Sequence, residues 1–190
     1  MKKVLIGNGG HAREVMIQMG HQLDRFVDDQ YVDIDTFPIS KLNPKEHVVM
    51  IAVADSKDRF DIKQRLPKGI QFFTFIHPTA LIMDTVEIGE GSFIGAYSIL
   101  TTNIKLGSHS LLNRANHIGH DCIIGDYFSA MPGSIVSGNV LIGDRVYLGT
   151  NSSIREKIKI TDDVKIGLNT GVVKSINENG VYVGQNIKKI

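Results

Sequence analysis

Two histidines and an aspartate lie close together in the middle of the chain. Residues 113–126 read NRANHIGHDCIIGD and contain His117, His120 and Asp121. A neutral imidazole such as that of His120 can accept a proton from an amine or hydroxyl as this group attacks a carbonyl carbon. A carboxylate beside the ring favours the imidazolium that forms and raises the basicity of the histidine. The pattern therefore indicates a candidate general base, His120, with Asp121 beside it in the sequence.

The same residues allow other interpretations. A histidine at an outer edge can simply be solvated, and a His-x-x-His pair can bind zinc, for which His109 is the only nearby third ligand. Successive strand residues point to opposite sides, so Asp121 reaches His120 only at a bend or from another subunit. Cys122 occupies an inward position of the repeat described next, so we interpret it as a core residue rather than a nucleophile.

A six-residue repeat fills the second half of the chain. All seventeen positions counted in steps of six from Ile76 to Val172 are aliphatic, and the following residue is often glycine. The fourth residue after each aliphatic position is mostly small or β-branched. The repeat positions are Ile76, Ile82, Ile88, Ile94, Leu100, Leu106, Leu112, Ile118, Ile124, Ala130, Val136, Ile142, Leu148, Ile154, Ile160, Ile166 and Val172.

This period excludes a helix and a simple hairpin sheet. An α-helix has 3.6 residues per turn, so positions six apart would not share a face. Three short strands of six residues can form one triangular coil, with aliphatic and small residues inside and glycines at the corners, where a positive φ or a close backbone approach is needed. Stacked coils then pair as parallel strands. The sequence therefore predicts a parallel β-helix of a little over five coils.

The first half of the chain predicts a small, Rossmann-like α/β unit, similar to an abbreviated half of a dinucleotide-binding fold. Residues 3–7 predict a buried strand, Asn8-Gly9-Gly10-His11 a glycine-rich turn, and residues 12–20 a helix. Strands are expected at 26–27, 48–54 and 71–76, with a helix at 59–66 between the last two. A glycine turn before a helix allows a phosphate to approach backbone N–H groups, although a plain strand-to-helix turn has the same sequence. Acidic residues after the second strand can accept hydrogen bonds from a ribose or base.

Composition limits the classes of function. The chain has 190 residues, 21 basic and 20 acidic side chains and a net charge of +1, which does not favour nucleic-acid or anionic-membrane binding. A hydrophobic fraction of 42% is typical of a globular protein. The single cysteine excludes an internal disulfide and favours the cytoplasm. No apolar run approaches the ~20 residues of a membrane span, and no signal peptide is expected at the N-terminus.

The motifs together resemble a known family. GNGGH near the N-terminus, VDD at 27–29, IHPTA at 76–80, NHIGHDCIIGD and PGSIVSGNVLIG resemble those of the left-handed β-helix nucleotide-sugar acetyltransferases. Within that family the chain is similar to bacterial N-acetyltransferases of 4-amino-4,6-dideoxy sugars, of the bacillosamine and perosamine type, and to the sialic acid O-acetyltransferases. The resemblance covers essentially all 190 residues. It implies a left-handed β-helix in residues 76–190, preceded by an α/β nucleotide-sugar domain in residues 1–75.

The resemblance also implies site residues and partners. It places the catalytic base at His120 and the carboxylate that raises its basicity at Asp121. Acetyl-CoA is the implied cosubstrate, with no metal, and the implied assembly is a homotrimer with active sites between prisms. The implied substrate contacts are Gly9, Gly10, His11, Asp28, Asp29 and Ala54. The implied acetyl-CoA contacts are Ser129, Gly138, Thr150 and Leu168, with Arg155 and Lys174 as candidates for the CoA phosphates.

Three positions depart from the family pattern. Ser129 stands nine residues after His120, where a close relative has a histidine, and Ala54 stands where a glycine is expected. The C-terminus reads GQNIKKI instead of a Gly-x-Pro-Ala-Lys ending.

Direct transfer in a ternary complex is the expected mechanism, with oxyanion stabilisation by backbone N–H groups near Ser137 and Gly138, or by Ser129. The alternatives are O-acetylation of sialic acid or another sugar hydroxyl, a zinc enzyme of the γ-carbonic-anhydrase type, and a non-catalytic protein that binds a sugar nucleotide.

Overall fold

The computed structural model describes residues 1–20, residues 22–184 and the backbone of residues 188–189. The first part is a five-stranded parallel sheet whose strands lie in the order Thr36–Pro38, Asp24–Val27, Lys2–Ile6, His47–Ile51 and Gln71–Phe72. Single 3-10 turns lie at Asp29–Tyr31 and Ile39–Lys41. The elements are β1 (Lys2–Ile6), α1 (Gly10–Met19), β2 (Asp24–Val27), β3 (Thr36–Pro38), β4 (His47–Ile51), α2 (Ser56–Gln64) and β5 (Gln71–Phe72).

The helices and most strands of this part agree with the sequence, with two differences. The edge strand β3 was not predicted, because its three residues include a proline and have no hydrophobic alternation. The strand expected over residues 71–76 is two strands. Gln71–Phe72 pairs with β4, whereas Phe75–Ile76 pairs with Phe93–Ile94 in the second part of the chain. The division into domains at residues 75 and 76 remains a prediction.

The second part is a triangular prism of parallel strands in which partners lie 18 residues apart, as in the pair Leu111 and Ser129. Face 1 contains β6 (Phe75–Ile76), β9 (Phe93–Ile94), β12 (Leu111–Leu112), β15 (Ser129–Ala130), β18 (Tyr147–Leu148), β21 (Val164–Ile166), β23 (Gly180–Val183) and the antiparallel β24 (Lys188–Lys189). Face 2 contains β7 (Leu81–Ile82), β10 (Ile99–Leu100), β13 (His117–Ile118), β16 (Ile135–Val136), β19 (Ser153–Ile154) and β22 (Gly171–Val172). Face 3 contains β8 (Val86–Ile88), β11 (Ile104–Leu106), β14 (Ile123–Ile124), β17 (Leu141–Ile142) and β20 (Lys159–Ile160).

The repeat positions form the core of the prism. Every aliphatic repeat position from Ile94 to Val172 is buried, and so are the intervening fourth residues, such as Cys122 and Phe128. Ile76, at the open first coil, is 43% exposed. Burial raises the pKa of the Cys122 thiol, which fits its interpretation as a core residue.

The corners need both a close approach between coils and a residue with positive φ. The sequence analysis assigned both to glycine, but in the structure they fall on different positions. The repeat glycines give close approach: a Cβ on Gly107 would lie 2.5 Å from the carbonyl carbon of Gly125 in the next coil. The positive φ falls two residues after that glycine position, and most residues there are not glycine. Asn103, Asp121 and Asn139, for example, have φ values of 54°, 58° and 60°. Aspartate and asparagine tolerate this left-handed conformation better than most residues.

Face 1 is covered by the α/β part, and faces 2 and 3 are not. Val15 and Met16 of α1 pack with Phe93 and Leu111 of face 1 in one buried cluster. Outward side chains of faces 2 and 3 include exposed apolar residues, such as Ile135, which is 44% exposed. Among the described residues, no helix is long and apolar enough to cross a membrane.

Candidate active site

His120 and Asp121 form a hydrogen-bonded pair at the corner between faces 2 and 3, which we call edge 2–3. The Nδ1 atom of His120 lies 2.7 Å from Oδ2 of Asp121. The left-handed backbone of Asp121 turns its side chain back toward the preceding residue, so the contact is made at a bend within one protomer. The hydrogen bond from His120, followed by one from Asn103, holds the pKa of the Asp121 carboxyl below its usual range. With Nδ1–H donated to this carboxylate, Nε2 is left to accept a proton.

Gly138 lies against the imidazole of His120. A Cβ at position 138 would stand 2.6 Å from Nε2 and 2.7 Å from Cε1 of the ring. These distances are shorter than the usual contact of about 3.5–4.0 Å. The ring therefore occupies the space that a side chain at 138 would fill, and Gly138 is one coil further along the same edge.

The glycine turn opens α1 as the sequence predicted. Gly9 is the N-cap residue and has no side-chain hydrogen bond, so the first backbone N–H groups of the helix have no side-chain acceptor from this residue. A Cβ on Gly9 would meet nothing within 4 Å, and one on Gly10 would meet only Arg13, at 3.8 Å. The turn therefore has open space beside a helix N-terminus, which is the arrangement that favours an anion.

His11 is nearly enclosed at the start of α1. Its side chain is 10% exposed, and its ring packs edge-on against Phe93. Neither ring nitrogen has a hydrogen-bond partner among the described residues, and Glu14 Oε2 lies 3.8 Å from Nδ1. Burial lowers the pKa of His11 to about 4, so the ring is neutral at pH 7. Such a ring can exchange a hydrogen bond with a ligand but brings no charge to it.

A cavity of about 340 Å³ lies at the carboxyl ends of β1 and β2. Its wall includes Asp28, which forms an ion pair with Arg65, and the exposed ring of Tyr31. Asp29 lies on the adjoining surface, and its Oδ1 accepts a hydrogen bond from the backbone N–H of Ser40. Hydrogen bonding from the Ser40 side chain, followed by that from its backbone N–H, holds the pKa of the Asp29 carboxyl below its usual range. The acidic pair is therefore split: Asp28 lines the cavity with Arg65, and Asp29 fixes a neighbouring turn.

Ser129 does not fit the predicted contact with acetyl-CoA. It is 0% exposed, and its Oγ donates a hydrogen bond to the carbonyl of Ala54 at 2.8 Å and accepts one from Arg59 at 2.8 Å. The hydroxyl lies 3.0 Å from that of Ser56, which is also buried. Strand β15 belongs to the covered face, where this side chain faces the α/β part, so the contact with acetyl-CoA remains a prediction without support from the position of Ser129. The carbonyl of Ala54, a predicted substrate contact, belongs to the same buried network.

Thr150 and Leu168 lie on the corner between faces 1 and 2, which we call edge 1–2. They are exposed and occur in consecutive coils, where the backbone N–H of Asn169 donates to the carbonyl of Thr150. Gly149 keeps these coils close, because a Cβ there would lie 2.6 Å from the backbone nitrogen of Leu168. Thr150 and Leu168 are eighteen residues apart, and they stack in consecutive coils as this spacing predicted. The two residues form one continuous strip of surface.

The glycine turn and the histidine pair lie on different edges of the prism. Helix α1 contacts edge 1–2, where Gln18 accepts a hydrogen bond from the backbone N–H of Ala96 and Glu14 pairs with Arg114 at 3.0 Å. His120 lies on edge 2–3. In each coil the two edges are separated by one face of six residues, which spans up to about 20 Å. Within one protomer, His120 therefore does not face the turn beside α1.

Comparisons with known proteins agree with this architecture. No family model matches the chain. A curated GDP-perosamine N-acetyltransferase of Escherichia coli O157:H7 is 32% identical over 89 residues, which are 46% of this chain and 40% of that protein. The chain thus spans two fifths of the length of this relative. A mutant of perosamine N-acetyltransferase from Caulobacter crescentus, solved with CoA and GDP-perosamine, has a TM-score of 0.88 at 22% identity, over 100% of this chain and 97% of that one.

A third protein matches the chain over its whole length. WeeI from Acinetobacter baumannii AYE is 30% identical, with a TM-score of 0.88 and complete coverage of both chains. The chain belongs to the β-helix nucleotide-sugar acetyltransferases. The predicted fold, an α/β part followed by a left-handed parallel β-helix, is confirmed.

The zinc arrangement considered from the sequence is absent from the described part of this family member. His109 lies on the corner between faces 3 and 1, where its ring stacks on Tyr127 at 5.1 Å and is 3% exposed. It therefore cannot join His117 and His120 as a third ligand. No group of three or more histidine, cysteine or acidic side chains in residues 1–20 and 22–184 could hold a metal ion.

Two arginines and one asparagine of the site region were missed by sequence reasoning. The sequence predicts a helix that contains Arg65 and gives this residue no functional role, yet Arg65 lines the cavity with Asp28. Arg59 is buried and donates hydrogen bonds to backbone carbonyls of both parts of the chain, including those of Val53 and Tyr127. Asn103 contacts Asp121 from the preceding coil. The last contact had a signal in the sequence, because the two residues are eighteen apart. Residues 185–187 and 190, in the divergent C-terminal stretch, lie outside the described residues.

Proposed function

We propose that this protein transfers the acetyl group of acetyl-CoA to the 4-amino group of a nucleotide-linked 4-amino-4,6-dideoxy sugar. The observation that carries the proposal is the pair of His120 and Asp121 on an exposed edge, with the ring seated over Gly138. The names of the relatives support it, since two of them are perosamine N-acetyltransferases, one of which was solved with CoA and GDP-perosamine. Acetyl-CoA is a cosubstrate in this proposal, and no metal takes part.

His120 acts as the general base. Its Nε2 accepts a proton from the sugar amine while the amine nitrogen attacks the thioester carbonyl carbon, and Asp121 stabilises the imidazolium that forms. Backbone N–H groups near Ser137 and Gly138 stabilise the oxyanion. The intermediate collapses with cleavage of the C–S bond, and the CoA thiolate takes up the proton from the imidazolium. The products are the N-acetylated sugar nucleotide and free CoA thiol, without an acyl-enzyme.

The sugar nucleotide binds at the α/β part. Its diphosphate lies at the glycine turn, where Gly9 and Gly10 leave open space at the N-terminus of α1. Its nucleoside occupies the cavity beside Asp28 and Arg65. His11 stands between this turn and the prism as a neutral hydrogen-bonding group. The contribution of Asp29 is indirect, through the turn at Ser40 that borders the cavity.

Acetyl-CoA lies along the prism. Thr150 and Leu168 supply an exposed strip on edge 1–2 of one protomer that an extended pantetheine can follow, and Gly138 borders the reacting end on edge 2–3 of a second protomer. Arg155 and Lys174 are also on edge 2–3 and can meet phosphate groups there. Arg155 lies 3.5 Å from Glu156, so a phosphate would compete with this carboxylate.

The active form is a homotrimer in the cytoplasm. The substrate turn of one protomer borders edge 1–2, whereas His120 is on edge 2–3, so a complete site needs the edge of a second protomer. The exposed apolar residues on the uncovered faces, such as Leu81, Ile123, Ile135 and Leu141, give such contacts a hydrophobic component. Cyclic closure of three prisms provides the same composite site three times.

A thiol-release assay tests the reaction. Purified protein is incubated with acetyl-CoA and a panel of UDP-, GDP- and dTDP-linked 4-amino sugars, and the product is fragmented to locate the acetyl group. We expect CoA release with at least one amino sugar and acetylation on nitrogen. His120→Ala should lower kcat by about 10²–10⁴ without unfolding the protein. Acetylation of a hydroxyl would replace the proposal with O-acetyl transfer, and binding without thiol release would indicate a non-catalytic protein.

Light scattering tests the assembly. A trimer at assay concentration is the expected result. Mixing inactive His120→Ala protein with a variant defective at the glycine turn, such as Gly9→Asp, should restore activity if the two regions act across protomers. A monomer with full activity would contradict the composite site.

A further inference from the structure

Asn103 contacts the carboxylate that holds the histidine, from one coil earlier on edge 2–3. Its Nδ2 lies 3.1 Å from Oδ1 of Asp121, while Oδ2 of the same carboxylate lies 2.7 Å from Nδ1 of His120. The two oxygens of Asp121 are therefore held by two different donors. We propose that Asn103 is a positioning residue for His120, acting through Asp121. This inference rests on the proposed function for its effect on rate, but the geometry on which it depends is independent of the substrate.

The backbone fixes Asn103 in this position. Asn103 and Asp121 are eighteen residues apart, so they occupy the same corner in consecutive coils, and both have left-handed φ values, 54° and 58°. The backbone N–H of Asn103 donates to the Oγ1 of Thr85 at 2.8 Å, and that of Asp121 donates to the carbonyl of Thr102 at 3.0 Å. The backbone from which each of the two side chains extends is therefore held in place by a hydrogen bond. The amide must direct its NH₂ group to the carboxylate, since its oxygen would be repelled.

The contact decides which oxygen faces the ring. The Asp121 side chain is 45% exposed, so without a second donor its carboxylate can rotate and turn toward water. With Oδ1 bound by Asn103, Oδ2 stays directed at Nδ1 of His120. This hydrogen bond selects the imidazole tautomer with a proton on Nδ1. The lone pair of Nε2 is then free to accept the proton of the amine.

Two variants separate hydrogen-bond donation from the other properties of Asn103. Asn103→Asp keeps the size and the tolerance of a left-handed backbone but replaces the donor with a carboxylate that repels Asp121. Asn103→Gly removes the whole side chain and carries no strain at φ 54°. The control is Lys157→Gly, which also empties a left-handed position (φ 60°) on edge 2–3, two coils beyond Asp121. Thermal melting and light scattering establish that each variant folds and assembles as the parent does.

The main readout is the imidazole tautomer, measured by 15N NMR on protein labelled in histidine, with His120→Gln to assign the signals. We expect the parent and Lys157→Gly to show the Nδ1–H form of His120 at pH 8. Both Asn103 variants should show a mixture of the two tautomers. In the thiol-release assay they should lose about 10-fold or more in kcat, by analogy with other groups that orient a functional histidine, with KM for both substrates changed less than 2-fold.

The outcomes separate this inference from the proposed function. If the parent releases no thiol with any acceptor, the proposed function fails, and the tautomer measurement still tests Asn103. Parent-like tautomers in both Asn103 variants would overturn the positioning role. A loss of kcat accompanied by an equal loss of folded protein, with unchanged tautomers in the folded fraction, would also overturn it and assign Asn103 a structural role only.

Discussion

Gly138→Ala tests whether the imidazole is seated by the absence of a side chain in the next coil. An alanine Cβ would lie 2.6, 2.7 and 3.0 Å from Nε2, Cε1 and Cδ2 of His120. Contacts between such atoms are normally about 3.5–4.0 Å, so the ring must retreat by about 1 Å. A misplacement of this size can cost about 100-fold in rate, which corresponds to about 2.7 kcal/mol of transition-state stabilisation. The fold should tolerate the change, because the nearest atoms belong to an exposed side chain that can move.

The assay is steady-state thiol release, with kcat and both KM values determined for the parent, Gly138→Ala, His120→Ala and the double variant. We expect kcat to fall about 100-fold in Gly138→Ala. In the His120→Ala background the same substitution should have almost no further effect, because there is no ring left to displace. If Gly138→Ala keeps the parent kcat, the ring is not seated as described. If it costs as much without His120 as with it, Gly138 acts on acetyl-CoA directly and not through the base.

Three further predictions concern stability, each measured by urea unfolding. Gly107→Ala should lower the free energy of unfolding by about 1–3 kcal/mol, because its Cβ would lie 2.5 Å from the backbone of Gly125. The control is Gly171→Ala, whose Cβ would have no contact closer than 4.0 Å and which should leave the free energy of unfolding almost unchanged. Arg59→Met should cost about 3 kcal/mol or more, because several buried carbonyls lose their donor; a near-neutral result would show that water replaces the guanidinium. Burial lowers the pKa of His109 to about 4, below the 6.5 of the unfolded chain, so its contribution to stability is present above pH 6.5 and lost as the pH falls toward 4. His109→Asn should flatten this dependence, by up to about 1.4 kcal/mol per pH unit, and an unchanged slope would contradict the assignment.

The prism was predictable from the sequence because its six-residue pattern can be recognised within short segments of the chain. Each aliphatic position, such as Ile118, contributes one inward side chain, and the period of six repeats without insertion, so the register follows by counting. The same counting places Thr150 over Leu168 and Asn103 beside Asp121. The site was predictable to the extent that it depends on this register. The bend that joins His120 to Asp121 was one of two stated alternatives, since the period does not show where the left-handed residue falls.

The covered face was not predictable, because it depends on contacts between distant parts of the chain. Nothing in the repeat distinguishes Ser129 from an outward residue on another face. Its burial follows from the docking of the α/β part, in which Ser56 and Arg59 approach strands 70 or more residues away. An arginine in a short polar helix is normally a solvated residue, and here it is the largest fully buried side chain among the described residues. Its burial lowers its pKa to about 9 but leaves the guanidinium charged near pH 7.

The corner is the position in this fold at which two adjacent residues can form an acid–base pair. Along a strand, neighbouring side chains point to opposite faces of the sheet. Two adjacent residues of a strand therefore cannot hydrogen-bond through their side chains. At a corner, the left-handed residue reverses this alternation, and Asp121 turns back onto His120. The coil stacking then brings Asn103 to the carboxylate from one side and Gly138 to the ring from the other. A base built in this way needs three consecutive coils in register, so a change that shifts the coil spacing, such as Gly107→Ala, should reduce kcat as well as stability. Retention of full kcat in a folded Gly107→Ala protein would show that the base does not depend on that register.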